Sequence, residues 1–332
     1  GTSTVSFSVQ HVVPAPRTDV WAWHTRPGAL TRLNAPFAFM TPVQQAQSLG
    51  DGTSILRLPG GLQWKAQHVL SRYQEGYSFS DECVNSPLRQ LTQWRHTHTF
   101  AEDPAGTRVT DEVDTRVPSA ALKSVFAYRQ HQLIEDFAFF KRLCDAGLNT
   151  QPLTIAMTGS RGSVGTALTA QLRTAGHTVI QLVRGKAGSG QRHWNTNLPD
   201  PHLLDGVDVL VHLAGEPIFG RFNEEHKAAI RDSRVGPTRS LARIAGETPS
   251  VKAMVCASAI GFYGANRGEE VLTEDSEPGE GFLADVVRQW EDACEPARAA
   301  GTRVVNIRTG IAMSGGSGLL PLLRALFSTG LG

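Results

Sequence analysis

The stretch Thr158-Gly159-Ser160-Arg161-Gly162-Ser163-Val164-Gly165 decides how the second half of this chain is read. It follows an apolar run, Leu153 to Met157, and opens a helical pattern from Ser163 to Ala175. Strand, glycine turn and helix in that order are the context a dinucleotide-binding fingerprint requires. The glycines have separable tasks. Gly159 and Gly162 keep the turn tight and let backbone N–H groups approach a pyrophosphate with no Cβ in the way, and Gly165 lets the helix pack closely on the strand. The helix then aims its N-terminal amides and the positive end of its dipole at the phosphates. Ser160, Arg161, Ser163 and Val164 complete the loop and are expected to contact the cofactor.

The segments that follow keep the pattern. Gly176 ends the helix and His177 to Val183 forms a β-branched second strand. A site that selects NAD usually places a carboxylate at the end of this strand to accept bonds from the ribose 2′-OH. Here Arg184 follows Val183, and with Arg161 it would present two guanidinium groups where a 2′-phosphate would lie. The choice is NADP rather than NAD; the bland alternative is a pair of surface arginines. Gly206 to Gly215 is a further buried strand that ends in Leu213, Ala214 and Gly215, small enough at its tip for a close backbone approach to a ribose, and Glu216 follows it toward the crevice. Phe222 to Ala245 is helical, Val251 to Ser258 is a strand, Glu280 to Ala300 is helical and Thr302 to Thr309 is a last strand. Strands alternating with helices of this length imply a doubly wound parallel sheet, with its crevice beyond the carboxyl ends of the strands.

At 332 residues the chain has room for about two domains, and 40% hydrophobic residues suffice for sizeable cores. Its net charge of +1 comes with no basic run, which argues against a nucleic-acid partner. The four cysteines, Cys83, Cys144, Cys256 and Cys294, have no paired spacing and suit reduced thiols in a cytoplasmic protein. No apolar run reaches the roughly 18 residues of a membrane span, and no signal peptide is visible. A polar stretch from Asn149 to Pro152 marks the boundary, giving domains 1–148 and 152–332.

In the first half, Thr4 to Val13 alternates as a strand, and Thr18 or Asp19 caps a short helix bearing Trp21 and Trp23. Gln63 to Val69, Gly76 to Cys83, Gln90 to Phe100 and Thr107 to Val117 are the clearest strands of the next segment, each bounded by turn signals. Ala120 to Ala146 is a long amphipathic helix. Trp21, Trp23, Phe37, Phe39, Trp64, Tyr73, Tyr77, Phe79 and Trp94 either line a cavity or are plain core. His96 and His98 share one strand face, but no paired carboxylate or cysteine stands at useful spacing, so no metal site is expected and a solvated or hydrogen-bonded face is the better reading.

One strand, two short helices, a run of antiparallel strands and a closing helix resemble the helix-grip fold of the START-like and Bet v 1-like superfamily (SRPBCC), in which a sheet wraps the last helix around an apolar cavity. In the second half the resemblance is sharper. TGSRGSVG, HLAGEP, HKAAIRDSRVGPTRSL, SAIGFYG, EEVLTEDSEPGEGFLADVVRQWE and VVNIRTGIAMSGGSG occur in one order. Together they look like the extended, atypical short-chain dehydrogenase/reductase superfamily, and within it the sugar-nucleotide epimerase-like branch of NADP-dependent oxidoreductases. The implied architecture is a Rossmann-type doubly wound sheet preceded by an α+β helix-grip domain. Extended members continue into a small substrate lobe, which this chain is expected to lack, and a four-helix homodimer contact is common among them.

The resemblance also implies where the chemistry belongs. Relatives bind the substrate oxygen with a Ser or Thr after the fifth strand, and Ser258 matches it. Their proton-transferring Tyr and its Lys four residues later, which lowers the phenol pKa, do not appear: aligning on Trp290-Glu291 puts Leu283 and Val287 there. Tyr263 is the nearest replacement acid or base, and Ser258 and Tyr263 are the expected catalytic pair. Two functions stay open. One is an NADP(H)-dependent oxidoreductase or nucleoside-diphosphate-sugar epimerase-like enzyme, acting on a small-molecule substrate with a non-standard acid/base site and an apolar ligand held in the N-terminal cavity. The other is a protein that binds NADP(H) or an apolar ligand without turnover.

Overall fold

Alternation of buried and exposed side chains builds the first sheet of the computed structural model, which describes residues 4–147, 151–213, 224–258 and 288–308. Two compact units divide the chain, the first Gly1–Gly147 with Arg173–Gly176 and the second Leu148–Leu172 with His177–Gly332.

The first unit holds seven antiparallel strands: β1 (Val5–Val13), β2 (Thr41–Gln44), β3 (Thr53–Arg57), β4 (Gln63–His68), β5 (Ser78–Cys83), β6 (Arg95–Asp103) and β7 (Gly106–Thr115). Their order is β1-β7-β6-β5-β4-β3-β2. On β7 every second residue from Thr107 to Thr115 is buried, as in a sheet with one covered face. That face is covered by α4 (Ser119–Asp145), whose Leu133 and Phe137 pack with Trp23 of α1 (Arg17–Thr25) and with Phe100 of β6. Phe7 of β1 meets Phe126 of α4 at 5.5 Å between ring centres. Arg32, on the short helix α2 (Ala29–Leu33), reaches Asp136 of α4 through two parallel bonds, Nε to Oδ2 at 2.9 Å and Nη2 to Oδ1 at 2.7 Å, both groups buried.

One strand expectation is corrected. Residues 90–92 belong to a short helix, α3 (Leu88–Thr92), and the strand starts only at Arg95. Leu88 is buried under the turn, the Thr92 hydroxyl donates to the Leu88 carbonyl, and Gln93 at φ 42° closes the helix with its N–H on the Arg89 carbonyl. These local bonds outweigh the β propensity of the run.

The second unit is a parallel sheet: β8 (Thr154–Thr158), β9 (Thr178–Val183), β10 (Gln191–His193), β11 (Val209–Leu213), β12 (Ala253–Ser258) and β13 (Arg303–Arg308), in the order β10-β9-β8-β11-β12-β13. In chain order this is 3-2-1-4-5-6, the Rossmann arrangement. All five residues of β11 are buried, because a parallel strand has helices over both faces. α5 (Ser163–Thr174) connects β8 to β9, and α6 (Glu224–Glu247) connects β11 to β12. Leu210, Leu241 and Met254 are fully enclosed in one core with Cys294, beside α7 (Glu295–Ala299). β10, three residues long, has no counterpart in the sequence reading.

Candidate functional site

The direction of the strand order reverses between β8 and β11, so the crevice of the parallel sheet opens at their carboxyl ends. Thr158 pairs with His212, and Leu213 with Ala257, which brings the ends of β8, β11 and β12 level at one sheet edge. The glycine turn leaves this edge from β8. Gly159 sits at φ 65°, and a Cβ there would lie 2.1 Å from the Leu213 carbonyl oxygen. A Cβ on Gly165 would lie 2.0 Å from the Gly159 carbonyl oxygen. Both are glycine because the fold leaves no room.

Gly162 differs. A Cβ built on it would meet only the Gly159 carbonyl oxygen, at an ordinary 3.5 Å, and its backbone is not left-handed. Packing therefore does not ask for glycine at this exposed position, whereas a phosphate lying on the turn would. The loop residues fit the dinucleotide the fingerprint implies. Ser160 is buried, Val164 is half-buried, and Ser163 begins α5. Arg161 and Arg184 are exposed, and among the described residues neither enters an ion pair. Arg184 directly follows β9, the neighbour of β8. Ser258 is the last residue of β12, while Ala214, Gly215, Glu216 and Tyr263, with Leu283 and Val287, lie outside the described residues.

Sequence reasoning missed the group that braces this turn. Buried His212 bridges two threonines: Nδ1 lies 2.7 Å from Thr158 Oγ1 and Nε2 lies 2.8 Å from Thr238 Oγ1 on α6. The Trp290 indole N–H donates to the same Thr238 hydroxyl. Burial pushes the His212 pKa down to about 3, so the ring is neutral and can donate at one nitrogen and accept at the other. Thr158, the residue directly before Gly159, is thereby tied to α6.

The first unit contains a cavity of about 520 Å³. Phe37, Trp64, Phe79 and Trp94 line it, whereas Trp21 and Trp23 are core and Phe39 and Tyr77 are exposed. One wall is polar. His96 and His98 are buried, their rings 3.7 Å apart, and the carboxylates beside them come from the two neighbouring strands. Asp81 of β5 pairs across the sheet with His96, and Asp111 of β7 pairs with His98. His96 Nε2 lies 2.8 Å from Asp111 Oδ1, His98 Nδ1 lies 3.4 Å from that same oxygen, and His98 Nε2 lies 3.3 Å from Asp81 Oδ2.

Burial alone would raise both carboxylate pKa values. The bonds from the imidazoles outweigh it and hold Asp81 below, and Asp111 well below, the usual range. Burial, reinforced by His98, pushes His96 down to about 4 against the pull of Asp111. His24 is pushed down to about 3 by burial, and its Nδ1 lies 2.7 Å from the Val20 carbonyl oxygen. Of the two alternatives for the face bearing His96 and His98, it is hydrogen-bonded rather than solvated, and strand register, not spacing along the chain, supplies the carboxylates.

A family model described as the NAD dependent epimerase/dehydratase family matches residues 155–316. The crystal structure of the nucleoside-diphosphate sugar epimerase from Corynebacterium glutamicum superposes with a TM-score of 0.84 at 52% identity, covering 98% of this chain and 70% of that one. The chain belongs to the NAD dependent epimerase/dehydratase family. Among curated members of this epimerase family, protein Mb2239 of Mycobacterium bovis is 43% identical over 182 residues, which covers 54% of this chain and 60% of that protein. YfhF of Bacillus subtilis is 37% identical over 179 residues, or 52% of this chain and 58% of its own. The chain thus spans about three fifths of the length of these epimerase-family relatives. No helix among the described residues is long and apolar enough to cross a membrane.

Proposed function

We propose that this protein is an NADP(H)-dependent oxidoreductase or sugar-nucleotide epimerase-like enzyme, with an acid/base site that does without the Tyr-x-x-x-Lys pair. The observation that carries the reading is the contrast within the glycine trio. Gly159 and Gly165 answer to packing, while Gly162 stands exposed where no protein atom requires it. The cofactor would supply the hydride chemistry. Gly159, Gly162 and the first turn of α5 would hold its pyrophosphate, Arg161 and Arg184 its 2′-phosphate, and Leu213, Ala214, Gly215 and Glu216 would flank its ribose. Ser258 would bind the substrate oxygen and Tyr263 would move the proton. Titration of the full chain with NADPH and NADH, followed by protein fluorescence, tests this. Preference for NADPH supports it, and binding of neither sinks it.

A second reading is favoured by Leu283 and Val287, which cannot move a proton: a protein that binds NADP(H) without turnover. Transfer of label from the NADPH hydride to any product in cell extract would exclude it. For the first unit, we infer a helix-grip module that takes an apolar ligand. Its support is the seven-stranded antiparallel sheet, the 27-residue helix α4 across it and the largely apolar cavity.

A further inference from the structure

The spacing of the groups on the polar wall of the cavity points to a ligand of its own. Asp111 Oδ1 takes the His96 Nε2–H at 2.8 Å and faces His98 Nδ1 at 3.4 Å. His98 Nε2 in turn faces the Asp81 carboxylate. A cation between these two atoms would be bound by both. Their separation indicates which kind. A proton shared by imidazolium and carboxylate draws N and O to about 2.7–2.9 Å. Two ligands each about 2.1 Å from a tetrahedral ion stand about 3.4 Å apart. The observed distance is 3.3 Å.

A third donor completes the set. One ligand atom each from Asp81, His96 and His98 lie within 4.8 Å of one another, and all three residues line the cavity. Behind them, buried Asp111 accepts from His96 and faces the second ring nitrogen of His98. A carboxylate behind metal-ligating imidazoles fixes their tautomer and orientation. We propose that Asp81, His96 and His98 form a mononuclear divalent-metal site of the zinc class, open on one side to the cavity, with Asp111 as the carboxylate behind its imidazoles.

Two imidazoles and one carboxylate are the donor set of a catalytic rather than a structural zinc site, because a fourth position stays free for water or ligand. Here that position faces apolar walls, among them Trp64, Phe79 and Trp94. The matching ligand is an apolar molecule carrying one oxygen function, which the ion would bind and polarise. None of this depends on the nucleotide site.

The full chain, stripped with a chelator, is titrated with Zn²⁺ and with Co²⁺, whose visible d–d bands report coordination number. The expected result is one ion per chain with a Kd below about 1 µM, and Co²⁺ bands of four- or five-coordinate strength. The near-isosteric Asp81→Asn and His98→Gln should each weaken binding at least about tenfold. Asp111→Asn should keep one ion per chain while weakening it about 10- to 100-fold. His131→Ala, on the exposed side of α4, should change nothing. Circular dichroism of each variant separates loss of the ion from loss of the fold. No stoichiometric binding to the wild-type chain, or unchanged affinity in folded His98→Gln, overturns the proposal.

Discussion

Gly159 and Leu213 approach so closely that a side chain on the glycine would start 2.1 Å from the leucine's carbonyl oxygen. Two neighbouring strands of the parallel sheet meet there, and the turn can leave β8 only because position 159 carries no Cβ. Glycines 159 and 162 therefore respond differently to the same substitution. Gly159→Ala adds a backbone collision to a left-handed φ of 65° and should cost about 2–4 kcal/mol of stability. Gly162→Ala should leave the apo protein within about 0.5 kcal/mol of wild type. It should weaken NADPH at least about tenfold, since its methyl would occupy the approach to the pyrophosphate. Urea unfolding with a parallel NADPH titration checks both halves. A destabilised Gly162→Ala, or one that binds NADPH normally, would contradict the assignment.

In the proposed site, Arg161 and Arg184 would carry the coenzyme preference. Replacing Arg184 by Ala should raise the Kd for NADPH about 10- to 100-fold and leave NADH nearly unchanged, because only the 2′-phosphate loses its charge-assisted bonds. Arg184→Lys should recover part of the loss, a point charge replacing a fork. Equal weakening of both coenzymes would assign the arginine to the shared pyrophosphate instead.

The Arg32–Asp136 pair ties α2 to α4 beneath the surface. Truncating one partner leaves the other's charge in a low-dielectric setting, so Arg32→Ala should destabilise the first unit by about 3–5 kcal/mol. The double replacement Arg32→Met with Asp136→Leu should regain most of this. Tryptophan fluorescence during chemical unfolding reads the change, since Trp21 and Trp23 belong to this unit's core.

Part of the acid sensitivity follows from His212, beside His24 and His96, whose pKa values burial also lowers. The folded pKa of His212, about 3, lies below the ordinary 6.5, so between these values the unfolded chain binds a proton that the folded chain refuses. Its contribution is intact above about pH 6.5 and is lost as pH falls through that window, by up to about 1.4 kcal/mol per unit. Stability curves from pH 7 to 4 should show this slope in wild type and a shallower one in His212→Gln. An identical slope in the variant would place the acid sensitivity elsewhere.

The parallel unit was legible in the residues because its signals are local. A buried strand, a glycine trio and a helix occupy consecutive positions, and β9, β11 and β12 announce themselves as apolar or β-branched runs. Three-residue β10 carries too little pattern to be seen, and at α3 a few turn bonds overrode the β propensity of residues 90–92. The polar wall of the cavity had a quieter signal. On β5 and β7, inward alternation places Asp81 between Phe79 and Cys83, and Asp111 between Val109 and Val113. A carboxylate at a core-facing position needs a partner, and that partner sits on the next strand.

What the sequence by itself determined is carried by near neighbours along the chain: the alternation of the longer strands and helices, the doubly wound sheet and the glycine turn that begins it. Only the tertiary structure decided that Asp81, His96, His98 and Asp111 form one group, that Gly162 alone of the three glycines is free of packing, and that His212 braces Thr158 against α6. The reason is physical. Pairing between strands is fixed by register and by the covered face of the whole sheet, so residues 15 or 54 positions apart meet through hydrogen-bonded ladders that no local spacing records.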